Sequence, residues 1–175
     1  MFSTMQDEPL SLARLLMHAG EAHGASTVAT WTGTEARRRS YKDMAERASQ
    51  LAHALRGLGV GSFDRVATFM WNNNEHMEVY TAVPAMGAVL HALNIRLAPE
   101  QLTFIANHAE DQVVFVDGSL VAAFAKLLPE MRTVRNRGRR LANESTSEPS
   151  TKTTWSSAWL AMKVNCSGAR RMLSA

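Results

Sequence analysis

A chain of 175 residues, 46% apolar and 20% charged, has the balance of one soluble globular domain, long enough to bury about 68–70% of the surface its unfolded form exposes. Its net charge of +3 is the sum of two unlike pieces, with 10 basic against 14 acidic residues over 1–131 and 9 against 2 over 132–175. The acidic opening MFSTMQDEPL argues against a secretory leader, no run approaches the roughly 18 apolar residues of a membrane span, and the single cysteine, Cys166, has no disulfide partner, so the cytoplasm is the simplest compartment.

In chain order, Pro9 to Gly20 reads as a first helix, with Leu12, Leu15, Leu16 and Ala19 on one face. Ser26 to Trp31 is short and β-branched, Gly33 marks a turn, and Arg37 to Tyr41 can return antiparallel, which predicts a hairpin. The basic triplet Arg37, Arg38 and Arg39 is read as a solvated strand, because Glu35, Asp43 and Glu46 dilute its field. Ser40 is a helix N-cap with Asp43 three positions on, and an apolar stripe from Tyr41 to Leu58 ends at Gly59 and Gly61. His53 lies off that stripe and has no second ligand at metal spacing, so it is expected in solvent.

Arg65 to Trp71 is a nearly continuous apolar run, as a strand buried on both faces requires. Asn72, Asn73 and Asn74 end it and offer an N-cap to a helix over about Glu75 to Ala88, which Pro84 should kink or divide. Val89 to Leu93 is predicted as the next buried strand. Pro99 and Glu100 open a helix faced by Leu102, Ile105, Ala106 and Ala109, and Gln112 to Val116 is a third buried strand. Leu120, Val121, Phe124 and Leu128 form the face of one further helix.

Strand and helix therefore alternate, which predicts an α/β fold: a partial doubly wound, mostly parallel sheet with flanking helices and an N-terminal hairpin, followed by an irregular tail. Ligands of such sheets gather at the carboxyl ends of strands, so Asn72 to Asn74, Asn94 to Arg96 and Asp117-Gly118 are the loops to search. None holds a reactive set. His76, His91 and His108 each stand alone along the chain and are read as core or surface imidazoles, while Arg96 could pair a buried carboxylate or meet an anionic ligand, the structural role being favoured.

The ordered components Ser40-Tyr41, RVATFMWNNNEHMEVYTAVPAMGAVLHALNIRL, PEQLTFIANHAED and VVFVD give a stretch, from about Leu10 to Met131, that resembles the amino-terminal part of AMP-forming acyl-CoA synthetases, particularly fatty-acid-CoA ligases. The resemblance implies a reaction in which a carboxylate attacks the α-phosphate of ATP to give acyl-AMP and pyrophosphate, after which the thiol of coenzyme A displaces AMP. It also implies ATP, magnesium and coenzyme A as requirements of the complete enzyme. The family's phosphate loop, adenine segment, magnesium-binding acid and mobile lysine domain lie downstream of the matching stretch. No Walker-type G-x-x-x-x-G-K-[ST] run occurs here, and only Gly138 and Gly168 follow Gly118. The expectation is accordingly that residues 1–131 are a truncated amino-terminal subdomain, inactive alone, with no catalytic, cofactor-binding or metal residue to assign and no cofactor of its own.

Beyond Met131 the chain changes character, as a shifted reading frame would produce. Asn143 to Ser157 holds nine Ser/Thr in fifteen positions, and residues 132–175 read as a basic, disordered tail. Within it, Trp155, Trp159, Leu160, Met162 and Val164 could form a short sticky helix. Arg132, Arg135, Arg137, Arg139 and Arg140 could meet nucleic acid, but solvated charge is favoured. The partners expected instead are other chains, like or unlike, joined through exposed sheet edges, such as a full-length ligase.

Overall fold

The structure is a computed structural model, and it describes residues 9–134 together with the backbone of residues 159–162. The first helix, α1 (Leu12–Ala22), starts at Ser11, whose hydroxyl accepts from the Arg14 N–H. Strands β1 (Thr27–Trp31) and β2 (Ala36–Ser40) form the expected antiparallel hairpin, with Ala29 opposite Arg38. Helix α2 (Tyr41–Gly57) begins where the sequence places it: the Ser40 hydroxyl accepts from the Asp43 N–H at 3.1 Å, and Asp43 sits in the first turn, where its charge complements the helix dipole.

The main sheet is built from β3 (Arg65–Phe69), β4 (Val89–Ala92), β5 (Val113–Asp117) and β6 (Trp159–Met162), in the spatial order β4-β3-β5-β6. β3 runs parallel to both β4 and β5, with Val66 opposite Leu90 on one side and Val113 on the other. Helix α3 (Asn74–Ala85) joins β3 to β4, and α4 (Pro99–His108) joins β4 to β5.

Period-two alternation sorts the side chains of β3 and β5 onto two faces. Val66, Val113 and Phe115 pack with Ala48, Leu51 and Leu55 of α2 and with Val79, Ala82 and Val83 of α3. Ala67, Phe69, Val114 and Val116 pack with Leu102 and Ala106 of α4 and with Phe124, Met131 and Val134. Both faces are covered by helices, which is why β3 and β5 are buried at nearly every position. α1 lies on α2 and α3, and approaches α2 closely at Gly20, where an added Cβ would stand 2.9 Å from the Cβ of Ala45.

Four expectations need correction. β4 is not a buried strand: it pairs only with β3 among the described residues, none of its residues is buried, and Val89 is 42% exposed. Pro84 does not divide a long helix, because α3 ends one residue later, at Ala85, and Gly87 turns the chain at φ +86°. The segment after β5 is not one helix. It is a 3-10 turn (Gly118–Leu120), a single α turn, α5 (Val121–Phe124), and a second 3-10 turn (Leu128–Glu130). The Asp117 carboxylate, accepting from the Ser119 N–H, tightens the first of these turns, and Pro129 interrupts the backbone bonding of the last. Trp159–Met162 is not helical but the strand β6, antiparallel to β5 with Ala161 opposite Phe115. Its β-branch-free sequence offers no strand signal of its own, so pairing with the edge of β5 decides it.

Candidate functional site

The carboxyl ends of β3 and β5 lie side by side, and the loops leaving them are bonded to each other. Asn73 caps α3 by accepting from the His76 N–H at 2.8 Å, and its amide donates to Asp117 Oδ2 at 3.0 Å. Asp117 Oδ1 accepts from both the N–H and the hydroxyl of Ser119, at 3.0 and 2.8 Å, and the Trp71 indole N–H donates to Ser119 Oγ at 3.2 Å. His76 is buried, with Nε2 3.0 Å from the Thr68 hydroxyl and its ring edge-on to Tyr80. Burial holds its imidazole below the ordinary range, against the opposing pull of a backbone bond to Trp71 and the charge of Asp117. Two of the three searched loops thus meet. The third does not join them: the Asn94 side chain accepts from the Arg96 N–H, and Arg96 is exposed, with no ion pair among the described residues.

Beside this edge is a cleft of about 370 Å³ lined by Val28 and Ala29 of β1 and by Asn72, Asn73, His76, Met77 and Tyr80. Its volume lies at the small end of ligand pockets, about 300–1,000 Å³. The hydrogen-bonding groups of Asn73 and His76 are already engaged within the fold, so the wall is chiefly apolar.

A second cluster was hidden in the sequence. Glu75 and Glu78 of α3 are fully buried. Arg37 of β2 meets Glu75 through two N–H···O bonds at 2.6 and 2.5 Å, a bidentate pair. Glu78 Oε1 is 3.2 Å from Arg39 Nε and 2.7 Å from Arg47 Nε. Burial pushes the Glu78 carboxyl up while Arg47 and Arg39 pull it back. The solvated reading of the triplet therefore fails for Arg37 and Arg39 and holds for the exposed Arg38. The signal was legible in principle: two arginines at i, i+2 share one face of a strand, and two glutamates at i, i+3 share one face of a helix.

The lone histidines separate as well. His91 Nδ1 lies 2.9 Å from Asp111 Oδ2, whose residue is fully buried, so His91 does not stand alone. His108 is exposed and stacks on Phe104, and His53 is exposed as expected. Cys166, the Ser/Thr-rich segment and the arginines from Arg135 to Arg140 lie outside the described residues.

Ser119 donates to a carboxylate and has no imidazole beside it to act as its base. The carboxylate at the sheet edge, Asp117, already accepts three hydrogen bonds. Among the described residues no three His, Cys, Asp or Glu converge as metal ligands. No helix among them is long and apolar enough to cross a membrane.

Residues 16–167 match the family described as AMP-binding enzyme. The chain belongs to that family. The match continues past Met131, where the sequence likeness was expected to stop. The chain is 43% identical over 135 residues to a long-chain-fatty-acid–CoA ligase of Thermus thermophilus, covering 77% of this chain and 25% of that one. It is 40% identical over 136 residues to a medium-chain-fatty-acid–CoA ligase of Ectopseudomonas oleovorans, covering 75% and 25%. The chain spans about a quarter of the length of these curated relatives. Among solved structures, the benzoate CoA ligase of Burkholderia xenovorans superposes with a TM-score of 0.63 at 23% identity, covering 69% of this chain and 24% of that one. The anthranilate CoA ligase AuaEII does so with a TM-score of 0.66 at 18% identity, covering 75% and 26%. At such identities the superpositions establish the fold: a layered sheet with an N-terminal hairpin, shared with the acyl-CoA ligases.

Proposed function

We propose that this chain is the amino-terminal scaffold of an AMP-forming fatty-acid-CoA ligase and performs neither half-reaction alone. The complete enzyme would join a fatty acid to AMP at the expense of ATP, then pass the acyl group to coenzyme A, in the cytoplasm. The observation that supports this reading is the carboxyl edge between β3 and β5, where Asn73, Asp117, Ser119 and Trp71 satisfy one another rather than facing a ligand. The division into a scaffold over 1–131 and a basic tail over 132–175 belongs to the same proposal. Purified chain, free of host ligase, should catalyse no fatty-acid-dependent exchange of pyrophosphate into ATP, and exchange above the acid-free blank would overturn it.

A second reading is that the scaffold docks on a full-length ligase. It is supported by β4, an unpaired edge among the described residues with half-exposed apolar side chains. Co-elution with a full-length relative in size-exclusion chromatography is the expected result, and separate elution at micromolar concentrations would sink it.

A further inference from the structure

The hairpin β1–β2 adds no residue to either apolar core cluster, and none of its ten strand residues is buried. What joins it to α3 is polar. Thr30 Oγ1 donates to Asn74 Oδ1 and accepts from the Asn74 N–H, both at 2.8 Å, and the Asn74 amide donates to the Arg37 carbonyl at 3.2 Å. Arg37 clasps Glu75, and Arg39 shares Glu78 with Arg47 of α2.

At its base the hairpin is held by backbone bonds, Tyr41 N–H to the Ser26 carbonyl and Lys42 N–H to the Gly24 carbonyl. Its far turn, Thr32 to Glu35, bonds only within itself, through the Thr32 hydroxyl and the Glu35 backbone. The same strand that carries Thr30 supplies Val28 and Ala29 to one wall of the cleft, while α3 supplies His76, Met77 and Tyr80 to the other.

We propose that the hairpin is a flap hinged at residues 24–26 and 40–42 and latched shut on α3 by the Arg37–Glu75 and Arg39–Glu78 pairs. Release of the latch opens the cleft between Val28 and Met77 without unfolding the sheet. The physical basis is a division of labour. The sheet is held by apolar burial on both faces, which is cooperative and long-range. The hairpin is held by a few buried charges, whose pairing is strong while complete and strongly unfavourable once one partner is removed. A unit with few apolar contacts, its own internal pairing and two local hinges opens as a body.

Amide hydrogen exchange followed by mass spectrometry on the full chain tests this. In Glu75→Gln and, separately, Arg37→Gln, amides of residues 27–31 and 36–40 should exchange at least ~10-fold faster while those of β3 and β5 keep their rates, because the lost pair weakens docking alone. The double charge swap Arg37→Glu with Glu75→Arg should restore much of the protection, and Arg38→Gln, on the exposed side, should change nothing. Equal acceleration in β3 and β5 would mean that the network is part of the global fold and would overturn the flap. So would unchanged hairpin exchange in both single variants, or loss of protection in Arg38→Gln equal to that in Arg37→Gln.

Discussion

His91 Nδ1 of β4 sits 2.9 Å from Asp111 Oδ2 in the turn before β5, bridging across the intervening strand β3. Asp111 is fully buried, and burial pushes its carboxyl above the ordinary range, while His91 and Arg65 pull it down. A raised acid is unfavourable when ionised, so its penalty is present at neutral pH and fades as pH falls through the folded value toward that of the unfolded chain. His91→Ala removes the partner and should cost about 1–3 kcal/mol at pH 7. Urea denaturation at pH 7 and at stepwise lower pH should show the cost shrinking as the Asp111 carboxyl takes up its proton. An undiminished cost would show that His91 acts by packing.

His76 gives the opposite slope. Its folded value lies below the ordinary 6.5 because its ring is buried. Between the two values the unfolded chain binds the proton and the folded chain does not, so stability rises with pH through that window and is lost as pH falls below about 6.5. His76→Gln, which can still meet the Thr68 hydroxyl, should flatten the dependence. Midpoints of urea unfolding between pH 5 and 7.5 would show it.

Asn73 serves two partners with one side chain. Asn73→Ala loses the cap and the tie to Asp117 together and should destabilise by about 1–2 kcal/mol. Asn73→Asp keeps a cap acceptor for the His76 N–H but sets a carboxylate against Asp117. If the tie between β3 and β5 matters, Asn73→Asp should be nearly as damaging as Asn73→Ala; if only the cap matters, it should be close to neutral.

Phe63 holds φ +66° and is 78% exposed, so its ring returns little for a backbone conformation costing about 1–2 kcal/mol. Phe63→Asn, a residue tolerant of that region, should raise thermal stability by about 0.5–1 kcal/mol equivalent. A lower melting temperature would mean that the ring packs in a way its exposure does not show.

At Gly20 the spacing between α1 and α2 leaves no room for a side chain. Gly20→Val should push α1 off α2 and cost about 1–3 kcal/mol, as overpacking does, with faster exchange over Leu12–Ala22 as its signature.

The sequence by itself determined the order of elements and their kind. Ser40 and Asp43 set the start of α2, Pro99 that of α4, and the nearly continuous apolar runs of β3 and β5 announced strands covered on both faces, because caps, proline geometry and period are local properties of the chain. It carried enough of these in order to mark the family. Only the tertiary structure decided which polar residues meet. Arg37 and Glu75 are 38 positions apart, His91 and Asp111 are 20, Asn73 and Asp117 are 44. A charge followed along the chain is ordinarily solvated, and a lone histidine ordinarily idle. Whether either is buried depends on how the parallel crossovers bring β2 against α3 and β4 beside β3. The exposure of β4 has the same origin: its sequence fits a covered strand, but its place at the end of the described sheet leaves one edge unpaired. Local chemistry writes the elements, and long-range closure chooses which of their side chains leave water.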